Sequence, residues 1–508
     1  MTRVTWVTRV TRVTEVARAT KVTMVARATK ATRLKMLKKI LIIIILFALI
    51  ISPRILLGLR SEQSAKEALS KGDFSYASNE YKLAAQRLFW REDLWNNVGK
   101  TKLISGQRAE ALLAYKIAKE KGALSAFGWE ILGEESWQNG NHRDALNLWQ
   151  EGLGHYPNYF EFYSHLAMAY QEKGDYVSEQ GALENRLRFE SNTPDTAHFH
   201  YRLGLLLMLD SPEKALDELT RAARADVEFV PVVDTLRASL NLALLESDPA
   251  LSAILLGRGF ALVDEWQLAA QVFTRATQVY PTNETAWAWL GEAKQHLEGD
   301  ALLEGDALPD LDQALSFNPN SVLVHSLRGL YWQRQGKLEE ALREFQIAVK
   351  IEPENPNWHT ALGEIYARMG DLSSARSAYE RATVLAPNDP YFWQSLALFS
   401  INYAVQPEAL ALPAAQKAYA LRPKDAAFAD TLGWVYFGME KDREAEEQFL
   451  FALMLDPDFA PAYLHLGMLY LKGNHLNLAY ESLLRARDLA NETWVEGQAT
   501  RLLDEYFQ

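Results

Sequence analysis

The sequence predicts an all-α solenoid, a stack of helix pairs. Three observations predict it. A 34-residue pattern runs twice without a gap over 322–389, small residues return at fixed offsets along most of the 508 residues, and strand-type alternation is absent from 60–508. In the clearest stretch the first copy carries Gly329, Trp332, Ala341, Phe345, Ala348 and Pro353. The second carries Gly363, Tyr366, Ala375, Tyr379, Ala382 and Pro387, each 34 positions further on. Small residues at unit positions 8, 20 and 27 let two helices and their neighbour approach closely. Bulky residues near positions 4, 7, 11 and 24 fill the space between them.

This pattern resembles the tetratricopeptide repeat, which has tryptophan and Leu-Gly in its first helix, alanine and an aromatic in its second, and a closing proline. Leu362-Gly363 keeps the pair, and Arg328 replaces the leucine one unit earlier. The resemblance implies about twelve helix pairs forming a right-handed superhelix. A repeat array also overrides the domain count that the length suggests, because it grows in one dimension without a single large core.

The charge is unevenly placed. Residues 1–39 hold eleven Lys/Arg against Glu15 alone, a charge of +10, which leaves −22 for 40–508 out of a total of −12. A body that acidic repels phosphates, so nucleic acid is not an expected partner. The chain has no cysteine, which excludes disulfides, cysteine-ligated zinc and a cysteine nucleophile.

Residues 1–35 are low in complexity, with Val-Thr-Arg triplets and a VARATK hexapeptide present twice. They read as a basic, disordered tail; a targeting arm and a translation start at Met36 are the alternatives. Residues 40–59 form an apolar run of 20 residues, interrupted by Ser52, Pro53 and Arg54 and preceded by Lys35, Lys38 and Lys39. As a helix of about 30 Å it matches a bilayer. Residues 36–59 are therefore expected to be a single uncleaved transmembrane anchor, with the N-terminus cytoplasmic and the array extracytoplasmic.

Repeat units follow by phase, starting at Gly58, Glu92, Ala126, Phe160 and near Ala197, then at Ala250, Glu284, Val322, Pro356, Pro390, Ala426 and Ala460. Position 8 is glycine in nine units and alanine in three. Position 15 is glycine at Gly72, Gly106, Gly140, Gly174, Gly336 and Gly370, where the first helix ends, and Asp73, Asp175 and Asp371 follow as caps of the second. The expected organisation is an N-terminal array over 60–228, an extra helix and break over 229–249, a C-terminal array over 250–493 and a capping helix over 494–508. The fourth unit has Glu179 and Arg186 where small residues belong, so it is expected to pack loosely.

No catalytic constellation emerges. There is no P-loop, Gly-x-Gly-x-x-Gly, Gly-x-Ser-x-Gly or His-Glu-x-x-His. His142-Arg143-Asp144 imitates a kinase loop, but Trp149 stands where the asparagine belongs. His198 and His200 are two apart on a predicted helix and point in different directions. The duplicated LEGDAL over 297–308 lacks EF-hand spacing and reads as a solvated acidic loop. No metal or cofactor is expected.

What remains is a surface. The resemblance implies that the first helices line a concave groove for an extended peptide or a partner's helix, with groove-facing sites near positions 2, 5, 6, 9, 12 and 13. These offsets select Asn96, Lys100, Glu130 and Glu134 in the N-terminal half, and Trp289, Glu292, Arg334, Glu364, Arg368, Asp430 and Trp434 in the C-terminal half. The family's carboxylate clamp of Lys, Asn and Arg is missing from adjacent units. The expected function is a non-enzymatic, membrane-tethered protein-binding scaffold for envelope assembly or export. The alternatives are an accessory portion of a glycosyltransferase-like or protease system and a soluble cytoplasmic adaptor.

Overall fold

The computed structural model describes residues 33, 36–42, 52–189, 193–297, 306–490 and 493–507. Among them every regular element is helical. The chain divides into two compact bodies, one up to Phe229 and one over Val230–Gln508.

In the first body the leading helices of the pairs are 52–70, Leu94–Ile104, Ala126–Gln138, Glu161–Glu172 and Ala197–Leu207. Their partners are Phe74–Arg87, Arg108–Glu120, His142–His155, Tyr176–Leu187 and Pro212–Ala225. The second body opens with an odd helix, Val230–Leu245, on which Pro249–Leu262 packs; Ser252 donates to the carbonyl of Ala243 at 2.7 Å. Seven pairs follow, from Pro249–Leu262 with Trp266–Val279 to Ala460–Lys472 with Leu476–Leu489. Trp494–Tyr506 closes the body, burying Val495, Ala499 and Leu503 against the last pair.

The small residues act where the pattern places them. A Cβ on Gly329 would lie 2.7 Å from the ring of Phe345, and one on Gly363 would lie 2.8 Å from that of Tyr379. Position 8 of the first helix is thus filled by the position-24 side chain of the second, and only hydrogen leaves room. The alanines at positions 20 and 27, such as Ala341, Ala348, Ala375 and Ala382, are fully buried. Phe345 is buried with them, and removing such a ring from water contributes about 2–3 kcal/mol.

The joints between helices share one geometry. Gly370 ends its helix at φ 83°, and Asp371 then accepts the backbone N–H of Ser374 at 3.1 Å. Asp73 and Asp175 cap in the same way, from Tyr76 and Ser178. In four units without glycine at position 15 the backbone still turns left-handed: Asp264, Ala404, Glu440 and Asn474 have φ between 53° and 64°.

The fourth unit departs from its expected looseness. Glu179 is fully buried and lies 2.6 Å from Arg202 of the next unit, while the Arg186 guanidinium sits 4.3 Å above the Phe160 ring and its Nε donates to Ser164. Two long charged side chains, paired or stacked, occupy the volume that small residues vacate elsewhere.

The membrane anchor expected over 40–59 requires correction, and with it the cytoplasmic N-terminus and extracytoplasmic array. Among the described residues no helix is long and apolar enough to cross a membrane. Residues 43–51 lie outside the described residues, as do most of 1–35 and 298–305 of the acidic loop. The described end of the apolar run belongs to the first repeat unit. Arg54 donates to the carbonyl of Gln86 at 2.9 Å, Ile55 packs on the cluster around Leu88, and Gly58 abuts Leu88 itself. These side chains meet a second helix of the same array, and the helix carrying them continues over 60–70 with Glu62, Lys66 and Glu67.

Candidate functional site

The second body carries a cleft of ≈ 500 Å³ on the face built by its last three first helices. Pro390–Asn402 supplies Gln394, Leu398 and Asn402. Ala426–Gly438 supplies Ala427, Asp430, Thr431 and Trp434, and Ala460–Lys472 supplies Pro461, Leu464, His465 and Met468. These residues occupy positions 2, 5, 6, 9 and 13 of their units, which are among the offsets selected from the sequence. Phe459, Trp494 and Gln498 complete the wall.

The lining is apolar with a few fixed polar groups. Asp430 is buried and lies 2.8 Å from His465 Nδ1. The His465 ring stacks beneath Trp434 at 4.5 Å, and the Trp434 indole donates to Asn402 Oδ1 at 2.9 Å. Gln394 donates to the Thr431 hydroxyl, which itself donates to the carbonyl of Ala427. Trp434 is therefore held by hydrogen bonding and stacking while its face borders the cleft, and Trp494 is 63% exposed at the rim. Such a cleft, bordered by the Trp434 and Trp494 indoles, can take an apolar side chain.

Residues 333–399 match the family model described as Tetratricopeptide repeat. Over that stretch the chain is similar to the tetratricopeptide repeat. Human Superkiller complex protein 3 is 23% identical over 243 residues, which is 43% of this chain and 15% of that protein, so the chain matches only a small part of the relative's length. Among solved structures, the crystal structure of yeast Tom70 is similar with a TM-score of 0.41 and 15% identity, covering 88% of this chain and 95% of that one. MamA 41-end from Desulfovibrio magneticus RS-1 is similar with a TM-score of 0.28 and 24% identity, covering 34% of this chain and 97% of that one.

The eleven residues selected by the groove offsets separate into groups. Asp430 and Trp434 enter the cleft. Glu292 and Arg334 close on each other, with Nη2 2.7 Å from Oε1. Trp289 packs beside Ile254 and Ala286, with the Arg258 guanidinium 5.2 Å above its ring. Asn96 bonds across its own unit to the joint that precedes the third, donating to the carbonyl of Ala123 at 2.6 Å and accepting from the N–H of Ser125 at 2.9 Å. Glu364 accepts from Gln333, and Lys100 and Arg368 are exposed. Glu130 and Glu134 converge with His165, the group of three His or acidic side chains with metal-ligand proximity among the described residues.

The offsets applied to the tenth and twelfth units would have selected Gln394, Leu398, Asn402, His465 and Met468 as well. The part played by Trp494 had no such signal, because it comes from the closing helix, where the repeat phase has ended.

Proposed function

We propose that the chain is a non-enzymatic adaptor that holds a segment of a partner protein in the cleft around Trp434, with a bulky apolar side chain of that segment as the anchor. One observation carries the reading. Three successive units and the closing helix leave an apolar, three-walled cleft whose aromatic faces are already positioned and whose buried polar groups are already satisfied. Few side chains must be ordered on binding, which favours recognition of a short segment. The tetratricopeptide repeats support an interaction role, and no catalytic motif in the sequence competes with it.

The test is selection of a displayed random-peptide library on the full chain, with Trp434→Ala as the counter-selection target. Peptides sharing an aromatic or large aliphatic anchor are expected, with binding to the variant weakened by about 2 kcal/mol or more. Peptides retained equally by the Trp434→Ala chain would place binding elsewhere and remove this cleft as the site.

A further inference from the structure

Three side chains of the first body take no part in the interaction site. Glu130 and Glu134 lie four residues apart on Ala126–Gln138, one turn apart on one face. His165 comes from Glu161–Glu172 of the next unit, and its Nε2 is 3.4 Å from Glu130 Oε1 and 3.6 Å from Glu134 Oε1. One ligand atom from each of the three lies within 4.8 Å of the other two.

The separations discriminate between two kinds of contact. A direct N–H···O bond between imidazole and carboxylate is most favourable at about 2.7–3.2 Å, and the His165–Glu130 bond at 3.4 Å is a long, weak one. Donors bound to one zinc-class ion at about 2.0–2.2 Å stand about 3.3 Å apart around a tetrahedron. Charge points the same way. Two carboxylates one turn apart repel each other, a single imidazole cannot neutralise both, and the Arg108 guanidinium, whose charge reaches Glu134, is bonded to Glu135 at 2.9 Å.

The donors are also held from outside the group. The Tyr159 hydroxyl donates to Oε2 of Glu130, leaving Oε1 toward His165. The His165 ring lies parallel to the fully buried Trp149 indole, 4.9 Å away with 9° between planes. Supports of this kind fix the direction in which ligand atoms point.

We infer that Glu130, Glu134 and His165 form a site for one divalent transition-metal ion of the zinc class, with a fourth position open to water or to a donor on a bound partner. Glu134 and His165 are 31% and 19% exposed, so the ion has access from solvent.

The test titrates the chelator-treated full chain with Co2+ alone and then with Zn2+ as competitor. The visible bands of four-coordinate Co2+ are expected to saturate at one equivalent and to be bleached by Zn2+. Glu134→Gln and His165→Gln each lower the apparent affinity at least tenfold, and Tyr159→Phe, which keeps all three donors, lowers it about 10–100-fold. Melting curves in chelator establish that each variant is folded; Glu134→Asp, which keeps the charge and moves the donor, replaces any variant that is not. A wild-type chain without a saturable Co2+ band overturns the site. So does an affinity unchanged in both Glu134→Gln and His165→Gln, since an ordinary His–Glu ion pair predicts that result.

Discussion

Arg334 sets two guanidinium nitrogens against the carboxylate of Glu292, 42 positions earlier, with Nη2–Oε1 at 2.7 Å and Nη1–Oε2 at 3.1 Å. The pair joins the first helices of two successive units. Gln295 and His296 also face the Glu292 carboxylate, whose side chain is only 7% exposed. Two groove positions are therefore committed to one another. Their contribution is to hold neighbouring units in register.

Removing only the guanidinium leaves a nearly buried carboxylate with weaker partners, so Arg334→Met is expected to destabilise by about 2–3 kcal/mol. Glu292→Gln together with Arg334→Met removes both charges and is expected to cost less than the two single changes combined, with a coupling of about 0.5–3 kcal/mol. Hydrogen exchange over 284–334 in a double-mutant cycle measures it locally, which suits an array whose units open separately. Additive effects would mean that the pair is not coupled.

Glu440 occupies the left-handed joint position at φ 60°, where six other units have glycine. A residue with a Cβ in that conformation costs about 1–2 kcal/mol. Glycine loses part of that gain because it is freer in the unfolded chain. Glu440→Gly is thus expected to stabilise the second body by about 0.5–1 kcal/mol, a small rise in melting temperature. Ala404→Gly, at φ 53°, is expected to behave alike. A fall in melting temperature for both would show that these joints are not strained.

The repeat phase was legible because close helix approach admits so few residue types. Gly363 against Tyr379 can be read from spacing alone, since only hydrogen fits. Position 15 was legible only where glycine marked it; at Asp264 and Glu440 neighbouring turns impose the conformation on a residue that does not advertise it. The offsets could be read from the repeat phase but free surface could not, because helix spacing does not say that Arg334 meets Glu292. The expected anchor failed for a related reason. Hydropathy records that Ile55 and Leu59 are apolar, and it is silent on Arg54 bonding to Gln86 or Ile55 packing near Leu88.

Gly363→Ala is expected to destabilise by about 1–3 kcal/mol, because a methyl 2.8 Å from the Tyr379 ring forces the two helices apart or the ring off its rotamer. Tyr379→Leu in the same chain opens space beside the new methyl and is expected to recover part of the loss. A melting temperature unchanged by Gly363→Ala would contradict the close-approach account of position 8.

His325 gives the second body a pH dependence of defined sign. Its Nδ1 lies 2.6 Å from Glu344 Oε2 and its Nε2 2.9 Å from the carbonyl of Pro319, so both ring nitrogens face acceptors and the cation is favoured. The Glu344 hydrogen bond raises the His325 pKa above its ordinary 6.5, burial and Arg328 working the other way. A folded value above the unfolded one means that the contribution is complete below about pH 6.5 and declines as pH rises through the folded value. His325→Gln is expected to flatten that decline in melting temperature between mildly acidic and mildly alkaline buffer. An NMR titration placing His325 below 6.5 would reverse the sign.

Glu179 occupies a position at which the pattern calls for a small residue, and it is fully buried against Arg202, 2.6 Å away. Restoring the small residue alone is expected to be harmful. Glu179→Ala removes the carboxylate against which a nearly buried guanidinium lies, a change of the kind that costs about 3–5 kcal/mol, and it leaves a void as well. Glu179→Leu with Arg202→Met fills the volume and removes both charges, and replacements of that type are neutral or stabilising. The single variant is therefore expected to melt well below the parent chain and the double variant at or above it. Equal loss in both would mean that the fourth unit relies on something other than this ion pair to compensate for its missing alanine.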